Sequence, residues 1–164
     1  MALLVLASFQ VNAQVALLFG DLTWARINGY LDKEYPDVAN ISTVDLAKLT
    51  NVVLLDVRTP DEFKASHLPN AERFDESNIA ATKDLFAKLS KNTPIVVYCS
   101  VGIRSAAVAR HLTAQGYTQV KNLRGSAFMW ANEGRLLEGR SAPKVHPFNS
   151  RWGALLAPEL RLPI

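Results

Sequence analysis

The sequence predicts an α/β domain in which a mostly parallel central sheet lies between two layers of helices, a three-layer α/β/α arrangement. Three observations predict it. The runs Val52-Val53-Leu54-Leu55 and Ile95-Val96-Val97-Tyr98 are continuously apolar rather than alternating, as expected of strands covered on both faces. Strand-like and helix-like stretches alternate several times with short connections, the pattern of parallel crossovers. The second strand also runs directly into a glycine-containing turn and a helix, so the chain's only cysteine stands at a strand's carboxyl end, where such sheets place their sites.

Composition sets the frame. The chain has 164 residues, of which 49% are hydrophobic and 20% charged, enough apolar material for one domain with appendages. Net charge is +3, the basic residues are scattered, and no Lys/Arg run or basic–aromatic interleaving points to nucleic acid. A single cysteine excludes an internal disulfide, and three histidines without ligand spacing give no metal site. No cofactor is expected.

Residues 1–20 read as an apolar leader. Leu3-Leu4-Val5-Leu6-Ala7 resembles the apolar core of a secretory signal, with Val11-Asn12-Ala13 as a small-residue cleavage site. No Lys or Arg lies near Met1, and Gln10, Asn12 and Gln14 break the run, so a stable membrane span is not expected. The balance falls narrowly toward export and the periplasm, with a cytoplasmic amphipathic leader as the alternative.

Residues 21–37 predict a helical arm with Leu22, Ala25, Ile27 and Leu31 on its apolar side, interrupted at Gly29 and stopped by Pro36. The domain proper spans 38–138. Ser42 or Thr43 caps a short helix over 44–49. The strand at 52–55 ends in Asp56-Val57-Arg58. Thr59 caps the next helix, with Pro60 at its first position and Asp61 and Glu62 in its first turn. His67-Leu68-Pro69-Asn70-Ala71 is a loop. Residues 82–90 form an amphipathic helix with Leu85, Phe86 and Leu89 inward. After the central strand and the cysteine turn, a helix begins at Ser105 and ends at Gly116. Val120 lies on a short strand, and Asn122 to Ser126 form a loop into a helix around 127–132. Residues 139–164, punctuated by four prolines, are too poor in apolar residues to fold alone; they form an extension that packs back on the domain, with Asn149 capping a short helix through Trp152.

A lone cysteine is commonly a small buried hydrophobe. Cys99 has a different setting. A thiol between a strand end and a helix N-terminus faces backbone N–H groups and the positive end of the helix dipole, and Arg104 adds a positive charge at the far end of the loop. Each influence favours thiolate, the form that reacts.

Four stretches carry a resemblance to the rhodanese family of sulfurtransferases. They are Leu54-Leu55-Asp56-Val57-Arg58-Thr59-Pro60-Asp61-Glu62-Phe63, the His67-Leu68-Pro69-Asn70-Ala71 loop, Val96-Val97-Tyr98-Cys99-Ser100-Val101-Gly102-Ile103-Arg104-Ser105, and Asn122-Leu123-Arg124-Gly125 followed by Trp130. They occur in family order over residues 40–138. Val145-His146-Pro147-Phe148-Asn149 with Trp152-Gly153 is similar to an extension found in some bacterial single-domain members.

The resemblance implies a rhodanese-like fold and a thiosulfate sulfurtransferase-like activity. Cys99 takes sulfane sulfur from a small donor, thiosulfate or a persulfide, becomes a persulfide, and passes the sulfur to cyanide, a thiol or a protein acceptor. Arg104 shapes the loop with it. Ser100, Val101, Gly102, Ile103 and Ser105 bind the sulfur, mainly through backbone N–H groups. Asp56, Arg58 and His67 support the loop. The family's glycines are replaced by Ser66, Asn70 and Ser126, permissive positions rather than reacting ones. Arg104 is the loop's only basic residue, which counts against thiosulfate as the donor.

Two other readings stay open. A non-turnover sulfur carrier or regulatory interaction module keeps the same cysteine. A phosphatase or arsenate reductase uses cysteine and arginine too, but its loop encloses one residue more than the four between Cys99 and Arg104.

Overall fold

A computed structural model describes residues 21–75 and 85–164. The leader at 1–20 and the first residues of the helix expected at 82–90 lie outside the described residues.

The first described helix, α1 (Trp24–Glu34), is capped by Thr23, whose hydroxyl accepts from the Arg26 N–H at 3.3 Å. It runs without a break through Gly29, because Ile27 and Leu31 on one face are buried and packing outweighs the modest cost of one glycine. Next come β1 (Asn40–Ile41), α2 (Thr43–Leu46, capped by Ser42), β2 (Val53–Asp56), α3 (Pro60–Ala65) and β3 (Glu72–Arg73). A helical turn covers 85–88. The chain continues through β4 (Ile95–Tyr98), α4 (Ile103–Ala114), β5 (Val120–Leu123), α5 (Ser126–Asn132) and α6 (Ser150–Gly153), with a final 3-10 turn at Pro158–Leu160.

The five strands form one wholly parallel sheet in the order β1-β5-β4-β2-β3. β4 is central, paired on one side with β2 (Leu55 opposite Val97) and on the other with β5 (Val97 opposite Asn122). Its four residues are at most 2% exposed. Because strand side chains alternate, Val96 and Tyr98 enter one core and Ile95 and Val97 the other. The first core also takes Ile27, Leu31, Phe128, Trp130, Val145 and Trp152; the second takes Val108, Leu112, Tyr117 and, at their edges, Leu85, Phe86 and Leu89.

Two strands, one helix start and some bounds differ from the sequence expectation: α2 spans Thr43–Leu46 rather than 44–49, and Asn122 and Leu123 end β5 rather than open the loop after it. β1 and β3 are two residues each, too short to show a period of two, and they exist because a parallel neighbour offers its edge. α4 starts at Ile103 rather than Ser105, since Gly102 at φ +106 turns the chain abruptly enough for the helix to begin at once.

At the end of β2 lies a buried ion pair. The Arg58 guanidinium donates through Nε to Asp56 Oδ1 at 3.0 Å and through Nη2 to Oδ2 at 2.7 Å. Nη2 also donates to the Ser66 carbonyl at 2.6 Å, and the group lies 5.7 Å from the centre of the Tyr98 ring. Both residues are essentially unexposed, so the pair fixes the direction in which the chain leaves β2.

An Arg58→Ala substitution strands the Asp56 carboxylate without its partner. We expect a loss of about 3–5 kcal/mol, read as a fall in melting temperature of roughly 6–20 °C. A thermal melt within 2 °C or so of the parent would show the pair to be dispensable.

Candidate active site

Cys99 is the first residue after β4, and the segment 99–105 folds back beneath its own side chain. Gly102 makes this possible. Its left-handed φ is open to glycine, and a Cβ there would sit 3.3 Å from the Leu123 carbonyl oxygen. The Gly102 N–H consequently donates to Cys99 Sγ at 3.1 Å. Ser105, in the first turn of α4, brings its Oγ to 3.6 Å from Sγ. That hydroxyl carries one proton, and it lies closer to Asn122 Oδ1, at 2.7 Å. Asn122 in turn donates from Nδ2 to Asn40 Oδ1 at 3.2 Å.

The loop is held from behind as well. The Cys99 and Ser100 carbonyls accept from the Ala127 and Phe128 N–H groups of α5 at 3.1 and 3.0 Å. Ser126 Oγ accepts from the Cys99 N–H at 3.2 Å and donates to the Leu123 carbonyl at 2.9 Å. Ser126 stands at φ +49 and Asn70 at φ +60, so two of the positions where the sequence lacks a family glycine do demand the left-handed region. Ser66, the third, is extended at φ −164 and needs no glycine.

Arg104 does not aim a free cation at the sulfur. Its Nη1 and Nη2 donate to Glu62 Oε2 and Oε1 at 3.0 and 2.8 Å, and Nη2 also donates to Ser100 Oγ at 2.9 Å. Ser100 Oγ donates onward to Glu62 Oε1 at 2.9 Å. Glu62, expected as no more than a charge at the start of α3, is fully buried and closes a capping box with Thr59. Burial pushes its carboxyl up, but Arg104, the Arg58 charge and the Thr59 N–H overcome this and hold it at about 2. For Cys99, burial likewise pushes the thiol up. The Arg104 charge, the Ser105 hydroxyl and the Ser105 and Gly102 N–H groups pull harder, leaving it below the ordinary thiol value.

The thiol is 1% exposed, yet it faces the amides rather than the core. Over it lies a cavity of ≈ 20 Å³, room for about one water-sized atom. Cys99, Ser100, Val101, Ile103 and Arg104 form its floor, and Phe148 and Trp152 from the C-terminal segment form its wall. The two aromatic residues were not foreseen as site residues, because nothing local in the sequence links them to a turn some fifty positions earlier. Their similarity to a family extension was the one available signal.

The supporting residues sit farther back. Asp56 and Arg58 are paired at the end of β2 and do not line the cavity. His67 stacks on Phe63 with ring centres 4.0 Å apart, makes a 2.9 Å contact from Nδ1 to the Phe63 carbonyl, and faces Glu138 at 3.7 Å. These contacts lash the loop after α3 to the chain before the extension. Among the described residues no group of His, Cys, Asp and Glu converges as a metal site, and no helix is long and apolar enough to cross a membrane.

Comparison with known proteins gives a consistent answer. The model of the rhodanese-like domain family matches residues 42–133. A protein of Coxiella burnetii named thiosulfate sulfurtransferase GlpE is 32% identical over 96 residues, which cover 58% of this chain and 87% of that one. A sulfurtransferase of Allochromatium vinosum is 35% identical over 89 residues, covering 54% of this chain and 80% of its own. Among solved structures, the rhodanese-like domain protein of Staphylococcus aureus superposes with a TM-score of 0.52 at 30% identity, covering 63% of this chain and all of that one. On the fold, the ordered motifs and these likenesses together, the chain belongs to the rhodanese-like domain family.

Proposed function

We propose that the protein is a sulfurtransferase that moves sulfane sulfur by double displacement through Cys99. One observation carries the proposal: Sγ is bonded to the Gly102 N–H at 3.1 Å, at the N-terminus of α4, under a cavity that has room for about one more atom. In the first half-reaction the thiolate attacks the outer sulfur of a donor, such as thiosulfate or a persulfide. The donor's sulfur–sulfur bond breaks, its electron pair leaves with sulfite or a thiolate, and Cys99 becomes a persulfide. In the second, a thiol, cyanide or a protein acceptor attacks the outer sulfur and regenerates the Cys99 thiolate. Neither step changes the net oxidation level, so no redox cofactor enters the proposal.

The persulfide's outer sulfur is anionic. A helix N-terminus has N–H groups with no intrahelical partner, and in a site largely closed to water they stabilise a charge strongly. Ser100, Val101, Gly102, Ile103 and Ser105 supply this bowl in the proposal. Arg104 acts through the field it adds and through its ties to Glu62 and Ser100, which keep the loop in shape. Asp56, Arg58 and His67 hold the loop's surroundings and touch no reacting atom.

The short loop also argues against phosphate chemistry. Four residues between cysteine and arginine make a tighter loop than the five of the phosphatase relatives, and the arginine is already committed to a carboxylate.

Intact-protein mass spectrometry tests the central step. Treatment with polysulfide or thiosulfate should add one sulfur atom to Cys99, and cyanide should remove it as thiocyanate. A Cys99→Ser protein that still turned over would end the proposal. Alkylation by iodoacetamide across pH should have its midpoint below that of an ordinary thiol. Arg104→Ala should move that midpoint up and lower turnover on the order of 10²-fold; an unmoved midpoint would remove Arg104 from the reaction. The Glu62 carboxylate contributes stability that is fully present above its ordinary value of 4.5 and is lost as pH falls through about 2. Acid unfolding of Glu62→Gln, followed by tryptophan fluorescence, should therefore depend less on pH in that window than the parent's.

A further inference from the structure

The aromatic wall belongs to a part of the chain that the family match, ending at residue 133, does not reach. It is nonetheless firmly built. The Val145 N–H donates to the Leu160 carbonyl at 2.7 Å and the Leu162 N–H to the Val145 carbonyl at 3.0 Å, closing the segment on itself. Asn149 Oδ1 accepts from the Trp152 N–H at 3.0 Å, and α6 lies so close to Pro147 that a Cβ on Gly153 would meet Pro147 Cβ at 2.7 Å. Between these anchors Phe148 is held at φ +66, a region that bulky side chains avoid, with its N–H donating to His146 Nδ1 at 3.0 Å. The result of that conformation is a ring placed 5.0 Å from the Arg104 guanidinium carbon.

The site therefore offers an unusual balance of charge. Arg104 has both terminal nitrogens on Glu62 and a ring near its guanidinium, so the charge it lends the Cys99 sulfur is already matched by a carboxylate and is not open to a second anion. That one matched cation, the Ser105 hydroxyl and the loop's backbone amides support the single negative charge of the sulfur. A dianion such as thiosulfate would add two charges beside a thiolate, against an apolar wall, where Arg104, paired with Glu62, is the one cation among the described residues that line the cavity. A neutral molecule with an apolar stem meets none of these costs, and a monoanion meets the charge cost only once.

We propose that Phe148 and Trp152 are specificity-determining residues that fit the Cys99 site to organic hydropersulfides, R–S–SH, and disfavour dianionic donors. The inference rests on the sulfur-transfer reading of Cys99. The terminal sulfur enters the one-atom cavity toward the amides, while the R group stays outside it against the half-buried Phe148 ring, which packs on the core that holds Trp152. The Cys99 thiolate bonds to that sulfur, the donor S–S bond breaks, and its electron pair goes to the R-bearing sulfur, which takes the proton. The products are the Cys99 persulfide anion and R–SH, so charge and electrons balance without a further reactant.

The test compares second-order rates of sulfur loading on Cys99, read by intact mass, with benzyl hydropersulfide and with thiosulfate. The full chain should prefer the hydropersulfide at least about 10-fold. Phe148→Ala should shrink that ratio about 5-fold or more, by slowing the organic donor and speeding thiosulfate, whereas Phe148→Leu, which keeps apolar bulk, should preserve most of it. Trp152→Phe serves as a second probe of the wall if Phe148→Ala does not fold, and should reduce the preference measurably. Loading from both donors at a ratio unmoved by these variants overturns the wall's role and leaves the sulfur-transfer reading standing. No loading of the parent chain from either donor defeats that reading itself, and the wall's role with it.

Discussion

The hydrogen bond from the Gly102 N–H to Cys99 Sγ is the constraint around which the site is arranged. Burial alone would keep the thiol protonated and inert. The Arg104 charge, the Ser105 hydroxyl and the N–H groups of Ser105 and Gly102, the last at 3.1 Å from Sγ, together reverse that penalty. The rest of the fold serves this contact. A central strand with a fully buried exit brings the cysteine to the sheet's carboxyl end, and a glycine at φ +106 lets the chain bend back beneath its own side chain.

Charge at the site is arranged in closed pairs. Asp56 with Arg58 and Glu62 with Arg104 are both buried, and each carboxylate is matched by a guanidinium that donates in forked geometry. Such pairs add rigidity more than net stability, because desolvation offsets much of their attraction. Their effect on chemistry is indirect. They hold the loop still, and the Arg104 charge reaches the sulfur from a fixed position beside the oriented amides.

Much of this was legible in the residues themselves. The unbroken apolar runs gave β2 and β4, since strands covered on both faces cannot hide their composition. Thr59-Pro60-Asp61-Glu62 gave the start of α3, because capping is decided within one turn. What was hidden depends on contacts between distant positions. Arg104 looked like a free cation because its partner Glu62 is 42 positions away in the chain. The edge strands β1 and β3 have no periodicity of their own and are defined by their neighbours. Phe148 and Trp152 reach the cavity only because the C-terminal segment folds back and supplies side chains to the first core.

The cysteine turn is gripped by two helices at once: its sulfur faces the first turn of α4, and its carbonyl oxygens face the Ala127 and Phe128 amides at the start of α5. One peptide segment thus bridges two like-signed dipole ends, with the cysteine sulfur on one side and carbonyl lone pairs on the other. Displacing α5 by a fraction of an ångström would tilt those carbonyls and, through a single rigid peptide plane, re-aim the sulfur. Packing changes beneath Phe128, which is fully buried, would in this way reach the Cys99 sulfur.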